Sequence, residues 1–210
     1  MRDLYFFPLA AAVAGAFVLT ALQPFADRCP SGPVSGGGRS AEDVTVKGRE
    51  FCRFVPGNYD GLALLDPKDG SEPTLRITRL ADQNYEDPRS GPNLPLAEDI
   101  EYTLASRPIE VIVEARAAGD FAATEFEINY FAKPEGESGW KRFPLTPDFQ
   151  PYTLPFTTPP RGETEGRDYI GIRPFAPDKR RVMEVRSVRV HATGPKVAPP
   201  PEGTSVLPPG

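Results

Sequence analysis

Few residues of this chain have the types that catalysis requires. His191 is the only histidine among 210 residues, and the alternating pattern around it indicates a solvent-facing strand position. Nucleophilic catalysis needs a nucleophile beside a base, so any histidine-based site would depend on His191 alone. A carboxylate pair for glycoside hydrolysis is available among 29 acidic residues, but most of these alternate with apolar residues, as on a solvated sheet face. We therefore expect no enzyme activity and no catalytic residues.

One acidic turn offers a candidate metal site. Asp66, Asp69 and Glu72 flank a glycine and could donate oxygen ligands to calcium. The alternative is a simple acidic turn without a metal. Beyond this structural calcium, the sequence predicts no cofactor.

The two cysteines, Cys29 and Cys52, suggest a covalent cross-link. A disulfide between them would stabilise the fold by roughly 3 kcal/mol through its effect on the unfolded chain. It would also require an oxidising compartment. Two unrelated free thiols are the alternative.

Aromatic side chains provide the candidate ligand platform, because sugar recognition commonly uses an exposed ring with a few polar groups. Trp140 follows a glycine-containing turn, and Tyr59 and Tyr85 lie in segments rich in turn residues. The competing interpretation places aromatic residues at strand positions in the core.

The amino-terminal segment sets the expected compartment. Leu4 to Leu22 is a stretch of nineteen residues without a charge, which as a helix nearly spans the hydrocarbon layer of a bilayer. The pairs Ala10/Ala14 and Ala11/Gly15 would let a second transmembrane helix approach closely, although an alanine-rich helix without a partner fits equally well. A cleaved signal peptide is the alternative to an anchor. The expected location is the bacterial inner membrane, with the carboxyl-terminal domain in the periplasm.

Composition divides the chain and excludes some classes. With 26 prolines and 19 glycines, a helical bundle is disfavoured, and a net charge of −5 argues against nucleic-acid binding. We expect an anchor over residues 1–28, a flexible linker over 29–47, one compact domain over 48–193 and a proline-rich tail over 194–210.

Period-two alternation predicts an all-β, antiparallel sandwich. Ile109, Val111, Val113 and Ala115 share one parity, and the charged residues Glu110, Glu114 and Arg116 share the other. Residues 125–130 also alternate, which is typical of half-buried strands. About nine short strands are expected, one of them over Ile100–Leu104. In the last, Arg181–Ala192, the apolar parity changes, which predicts a β-bulge near Arg186–Val188 or a strand covered on both faces.

Five segments follow one another in a recognisable order: Glu110–Arg116, Trp140–Phe143, Phe149–Leu154, Asp168–Ile172 and Val185–Val190. This order resembles the galactose-binding-like jelly roll shared by many carbohydrate-binding modules. The resemblance covers roughly residues 58–193. It implies a jelly-roll sandwich, and in many members a structural calcium near the start of the domain.

These observations favour a non-catalytic, single-pass accessory subunit whose sandwich docks on a larger membrane protein complex, photosynthetic or respiratory. The expected partners are the membrane and the protein subunits of that complex, and nucleic acid is not expected. A membrane-tethered carbohydrate-binding module for envelope or extracellular glycan is the second interpretation. A hydrolase on a jelly-roll scaffold is the third.

Overall fold

The computed structural model describes residues 11–15, 17–18, 29–36, 41–56, 61–80, 88–132, 134–162 and 166–197. The chain divides into two compact units, Met1–Pro30 and Ser31–Gly210. In the first unit, residues 11–15 and 17–18 are helical. Within the described ranges, no helix has both the length and the apolar character needed to cross a bilayer. Most of the predicted anchor lies outside these ranges, so the anchor stays a prediction.

The predicted helix-packing face of the anchor is exposed where the structure describes it. Ala11, Ala14 and Gly15 are helical, and all three are exposed, whereas Ala10 lies outside the described residues. A side chain added at Gly15 would meet no atom within 4 Å. Their exposure in this single chain fits both an alanine-rich helix without a partner and a helix that meets one outside the chain, so close packing of these small residues against another helix stays a prediction.

The second unit contains two antiparallel sheets. The first sheet has six strands in the order β2-β3-β11-β5-β9, and β1 also pairs with β11. Its strands are β1 (Asp43–Lys47), β2 (Leu62–Leu65), β3 (Thr74–Arg79), β5 (Pro108–Ala117), β9 (Gln150–Thr157) and β11 (Arg181–Ala192).

The second sheet has five strands in the order β4-β10-β6-β7, and β8 also pairs with β6. Its strands are β4 (Asn93–Pro95), β6 (Glu125–Ala132), β7 (Gly136–Glu137), β8 (Lys141–Pro144) and β10 (Tyr169–Pro174). Short helices connect the strands: the α-helix α1 (Glu98–Leu104) and the 3₁₀ segments Gly48–Arg53 and Pro88–Ser90. The predicted all-β antiparallel sandwich is confirmed.

The core lies between the two sheets and follows the alternation in the sequence. Val111 and Val113 of β5 and Ile128 and Tyr130 of β6 are completely buried. Successive side chains of a strand point to opposite faces, so Glu110, Ile112 and Glu114, which alternate with the buried residues of β5, lie on the outer face of the first sheet.

The predicted β-bulge in the last strand is confirmed. The register between β11 and β5 shifts between Val185 and Ser187, so Arg186 is an extra residue on β11. Met183 and Val185 before the bulge are buried, and so are Val188 and Val190 after it. The bulge therefore keeps both apolar pairs in the core and turns Arg186 towards solvent.

Two local predictions were wrong. Residues 100–104, predicted as a strand, belong to α1, because acidic residues occupy its first turn, where they favour the helix dipole, and because Ile100 and Leu104 are spaced for one buried helical face. Residues 43–47, assigned to the flexible linker, form β1, whose Val44 and Val46 pair with β11 and are buried.

Both cysteines of the chain are in a disulfide. Cys29 and Cys52 are each disulfide-bonded, and neither is free. Cys52 lies in the 3₁₀ segment Gly48–Arg53 beside Phe51, a core residue. The predicted cross-link is confirmed.

Candidate functional site

An open groove of about 430 Å³ lies at one edge of the sandwich, where β5 and β9 of the first sheet approach β7 and β8 of the second. Its walls combine aromatic, aliphatic, hydroxyl and charged groups. The residues that line it are Pro108, Ile109, Glu110, Glu137, Ser138, Lys141, Pro155, Phe156, Thr157 and Thr193.

The apolar part of the groove comes from β9. Phe156 is half-buried, and its ring packs against that of Tyr130, with centroids 5.7 Å apart. Tyr130 is completely buried, so it provides a rigid support for the Phe156 ring. Pro155, the preceding residue of the strand, is exposed and also lines the groove.

The polar part contains carboxylates that neighbouring side chains hold in place. The Glu110 carboxylate lies 3.4 Å from Nε2 of His191 on the adjacent strand. The buried Asn129 amide donates a 2.6 Å hydrogen bond to Glu137. The exposed Lys141 begins β8 on the same side. The groove can therefore accept and donate hydrogen bonds at fixed points.

Ser138 shapes the turn that forms one wall. Its hydroxyl accepts the backbone N–H of Tyr130 at 2.9 Å and donates to the side-chain oxygen of Asn129 at 3.1 Å. These bonds fix the turn between β7 and β8 against β6.

Sequence reasoning did not find this groove. Glu110 and Phe156 occupy ordinary alternating positions of two strands, and Lys141 lies at the start of a third. Only the packing of the two sheets brings them together, and no local motif signals that. His191, read from the sequence as a solvent-facing strand residue, is instead mostly buried beside Glu110.

Trp140, the one platform residue that the structure describes, does not line the groove. Trp140 is half-buried, and the guanidinium of Arg173 lies 3.7 Å from its ring centroid. Tyr59 and Tyr85, the other two predicted platform residues, lie outside the described residues. Trp140 thus packs on an arginine instead of offering that face to a ligand.

Arg173 also belongs to a buried ion-pair group on the second sheet. It donates a 2.8 Å hydrogen bond to Glu127, and Arg142 donates a 3.0 Å bond to the same carboxylate. Burial raises the pKa of Glu127, but the bonds and charges of the two arginines outweigh burial and leave this pKa below its usual value. The group stabilises the outer face of the second sheet.

The predicted calcium ligands do not converge. Asp66 forms an ion pair with Arg49 at 3.1 Å, and Glu72 forms one with Lys47 at 2.9 Å. Asp69 accepts hydrogen bonds from its own turn, at Ser71. Among the residues that the structure describes, no three histidine, cysteine or acidic side chains form a group that could hold a metal. The alternative of a simple acidic turn fits these contacts.

A second cluster of polar groups lies between α1 and the start of β10. Asp168 accepts a 2.6 Å hydrogen bond from the Tyr130 hydroxyl, and its N–H donates to Glu101 at 3.1 Å. Glu101 also pairs with Arg161. Burial, together with the charges of Glu101 and Glu135, raises the pKa of Asp168 to about 6, against the opposing effects of Tyr130 and Arg161. The adjoining cavity, about 10 Å³, is about the size of one water molecule.

Comparisons with known proteins give matches among solved structures but none among family models or curated sequences. No family model matches the sequence, and no curated protein matches it. Among solved structures, the apo CBM1 of BiXyn10A is 12% identical over 64% of this chain and 82% of its own, with a TM-score of 0.37.

Two further structures contain carbohydrate-binding modules. The carboxyl-terminal CBM6 of the laminarinase LamC from Zobellia galactanivorans is 6% identical over 71% of this chain and 98% of its own, with a TM-score of 0.36. The CBM22-1–GH10 modules of xylanase 10B from Clostridium thermocellum, complexed with xylohexaose, are 11% identical over 76% of this chain and 28% of their own, with a TM-score of 0.40. Similarity this low does not transfer a ligand or a site. The predicted accessory-subunit role gains no support from these structures.

Proposed function

We propose that this protein is a membrane-tethered, non-catalytic carbohydrate-binding module of the galactose-binding-like jelly-roll type, and that the groove between β9 and the β7–β8 edge is its glycan site. The observation that carries the proposal is the groove itself. Its open volume of about 430 Å³ falls within the usual range for small-ligand sites.

The chemistry of the groove suits a sugar. A sugar ring has an apolar C–H face and a rim of hydroxyl groups, and the Phe156 ring offers an apolar surface to the C–H face. Glu110 and Glu137 can accept hydrogen bonds from sugar hydroxyl groups, and Lys141 can donate hydrogen bonds to them. A sugar hydroxyl therefore finds a partner both as donor and as acceptor. Because His191 and Asn129 hold the two carboxylates, the site is organised before a ligand binds, which reduces the entropic cost of binding.

Affinity electrophoresis and calorimetry with soluble neutral polysaccharides test the proposal. Xylan, mixed-linkage β-glucan and galactan are suitable probes for the intact chain. We expect at least one to bind, and Lys141→Ala and Glu137→Ala each to weaken that binding about fivefold, the equivalent of about 1 kcal/mol.

Lys179→Ala is the matched control, because Lys179 is equally exposed but lies in the turn before β11. It should bind as the unmodified protein does, with an unchanged melting temperature. Absence of binding to every neutral polymer, or equal loss in the control, would show that the groove is not a glycan site.

One observation favours the accessory-subunit role as a second candidate. In the helical residues of the first unit, Val13, Phe17 and Val18 are 48%, 72% and 57% exposed, and exposed apolar side chains of this kind mark contact with lipid or protein. The disulfide supports a location outside the cytosol. Extraction of the intact chain in mild detergent tests this role: co-migration with a large membrane complex supports it, and migration of the chain alone contradicts it.

A further inference from the structure

A buried glutamate and three arginines lie together on the outer face of the first sheet. Glu184 of β11 lies directly opposite Arg76 of β3 and Arg116 of β5. Arg76 donates to one of its carboxylate oxygens at 2.8 Å, and Arg116 donates two hydrogen bonds, at 2.7 and 3.0 Å, to the other. Arg186, exposed by the β-bulge, pairs with Glu114.

Phe149 connects the arginines of the two pairs. The guanidinium of Arg116 lies 4.5 Å from the Phe149 ring centroid, and that of Arg186 lies 4.6 Å from it. Contact with the ring orients both guanidinium groups. We call Arg76, Arg116, Arg186 and Phe149 the arginine surface.

The charges of this surface are layered. The side chains of Arg76, Arg116 and Arg186 are 41%, 42% and 48% exposed, whereas that of Glu184 is 4% exposed and that of Glu114 26%. A guanidinium has five N–H groups, and Arg116 directs only two of them to Glu184. An approaching molecule therefore meets cationic hydrogen-bond donors first, on a chain whose net charge is −5.

The arginines around Glu127 on the second sheet are arranged differently. Arg79 and Arg173 are only 8% and 10% exposed, and Arg142 alone is open, at 44%. That group is closed on itself and serves the fold. The arginine surface exposes three cations where the second sheet's group around Glu127 exposes one.

The surroundings of the arginine surface are polar. On the same outer face, Thr78 follows Arg76 by two positions along β3. The row of Arg189 contains Thr45 and Thr153, with the half-buried Ile112 between them. Protein–protein interfaces have an apolar centre, and stable membrane docking uses apolar side chains. A face made mainly of arginines, their carboxylate partners and hydroxyl groups suits a ligand that is polar and anionic along its length.

We propose that the arginine surface binds an acidic polysaccharide, through the carboxylate or sulfate groups of successive sugar units. Each guanidinium can form paired hydrogen bonds to an oxyanion, and cation positions on β3 and β5, separated by β11, match a ligand whose charges repeat along a chain. The proposal shares with the proposed function only its ligand class, a glycan. It concerns other residues, since none of the four residues of the arginine surface lines the groove.

Binding of polygalacturonate and chondroitin sulfate to the intact protein tests the proposal, with fully methyl-esterified polygalacturonate as the uncharged counterpart of the first. We expect both acidic polymers to bind, the esterified polymer to bind at least tenfold more weakly, and salt to weaken binding by screening. The variant Arg116→Gln/Arg186→Gln should bind the acidic polymers roughly tenfold more weakly. Loss of each exposed charge should weaken binding by about fivefold or less. Glu184 keeps Arg76 as a partner in this variant.

Arg142→Gln is the matched control, since Arg142 is equally exposed, contacts Phe175 and pairs with a buried glutamate. It should retain full affinity for the acidic polymers. Neutral polymers bound in the groove should bind the double variant normally, so failure of one site is distinguishable from failure of the other. Lack of binding to both acidic polymers, equal affinity for the esterified form, or binding only to vesicles of anionic phospholipid would overturn the proposal. If the double variant does not fold, the comparison of acidic and esterified polymer on the unmodified protein decides the question.

Discussion

Asp168 is a residue whose protonation depends strongly on its neighbours. It is buried beneath α1 with Tyr130, Glu101 and Arg161 around it, and this environment holds its pKa at about 6 instead of 3.8. Between about pH 4 and pH 6, Asp168 therefore keeps its proton in the folded protein, whereas it has lost that proton in the unfolded chain. Above pH 6 the ionised group costs about 3 kcal/mol of stability, and the cost disappears as the pH falls below 4.

Replacing Asp168 by asparagine should therefore stabilise the protein at neutral pH. The asparagine oxygen can still accept the Tyr130 hydroxyl, but no buried charge remains. We expect Asp168→Asn to raise the free energy of unfolding at pH 7.5 by about 1–3 kcal/mol and to have little effect at pH 4. Urea denaturation at both pH values measures this, with the exposed Asp148→Asn as control. A destabilised variant at pH 7.5, or the same difference at both pH values, would show that Asp168 is not held against its charge.

At the scale of the element, β9 explains how the first sheet avoids pairing with a second copy. Among the described strands, β9 pairs with β5 alone, so one side of it is an edge. Pro151 and Pro155 lie opposite Glu114 and Glu110 of β5. At these two positions of β9, the N–H of any other residue would point away from β5, towards the free edge. Each proline thus removes a donor from the free edge, a common protection against edge pairing.

Restoring these two donors should promote self-association. We expect Pro151→Thr/Pro155→Thr to change the melting temperature little, because the new N–H groups do not bond to β5, but to increase light scattering and the oligomer fraction in size-exclusion chromatography. Pro160→Thr, an exposed proline beyond the strand, serves as the control and should remain unchanged. Monodisperse behaviour of the double variant would show that something other than the prolines protects this edge.

At the scale of the whole molecule, periodic strands were predictable and their assembly was not. The alternation in β5 and β6 and the change of parity in β11 are local signals of burial, so the sandwich and even its bulge follow from the sequence. The short mixture of apolar and polar residues over 100–104 fits a helix as well as a strand, which is why a strand was predicted where the structure has α1. The groove and the arginine surface combine residues far apart in the chain, so only the packing and the strand order reveal them.

The Cys29–Cys52 disulfide is the one covalent constraint on this assembly, and its removal should lower the stability of the whole domain. Cys52 adjoins Phe51 in the core, and loss of a cross-link of this loop length costs about 3 kcal/mol, or roughly 6–12 °C in melting temperature for a chain of this size. Dithiothreitol treatment and the Cys29→Ser/Cys52→Ser variant should give the same lowered melting temperature, because both remove the same bond. Dithiothreitol should have no effect on that variant. An unchanged melting temperature after complete reduction would mean that the bond does not stabilise the fold by restricting the unfolded chain.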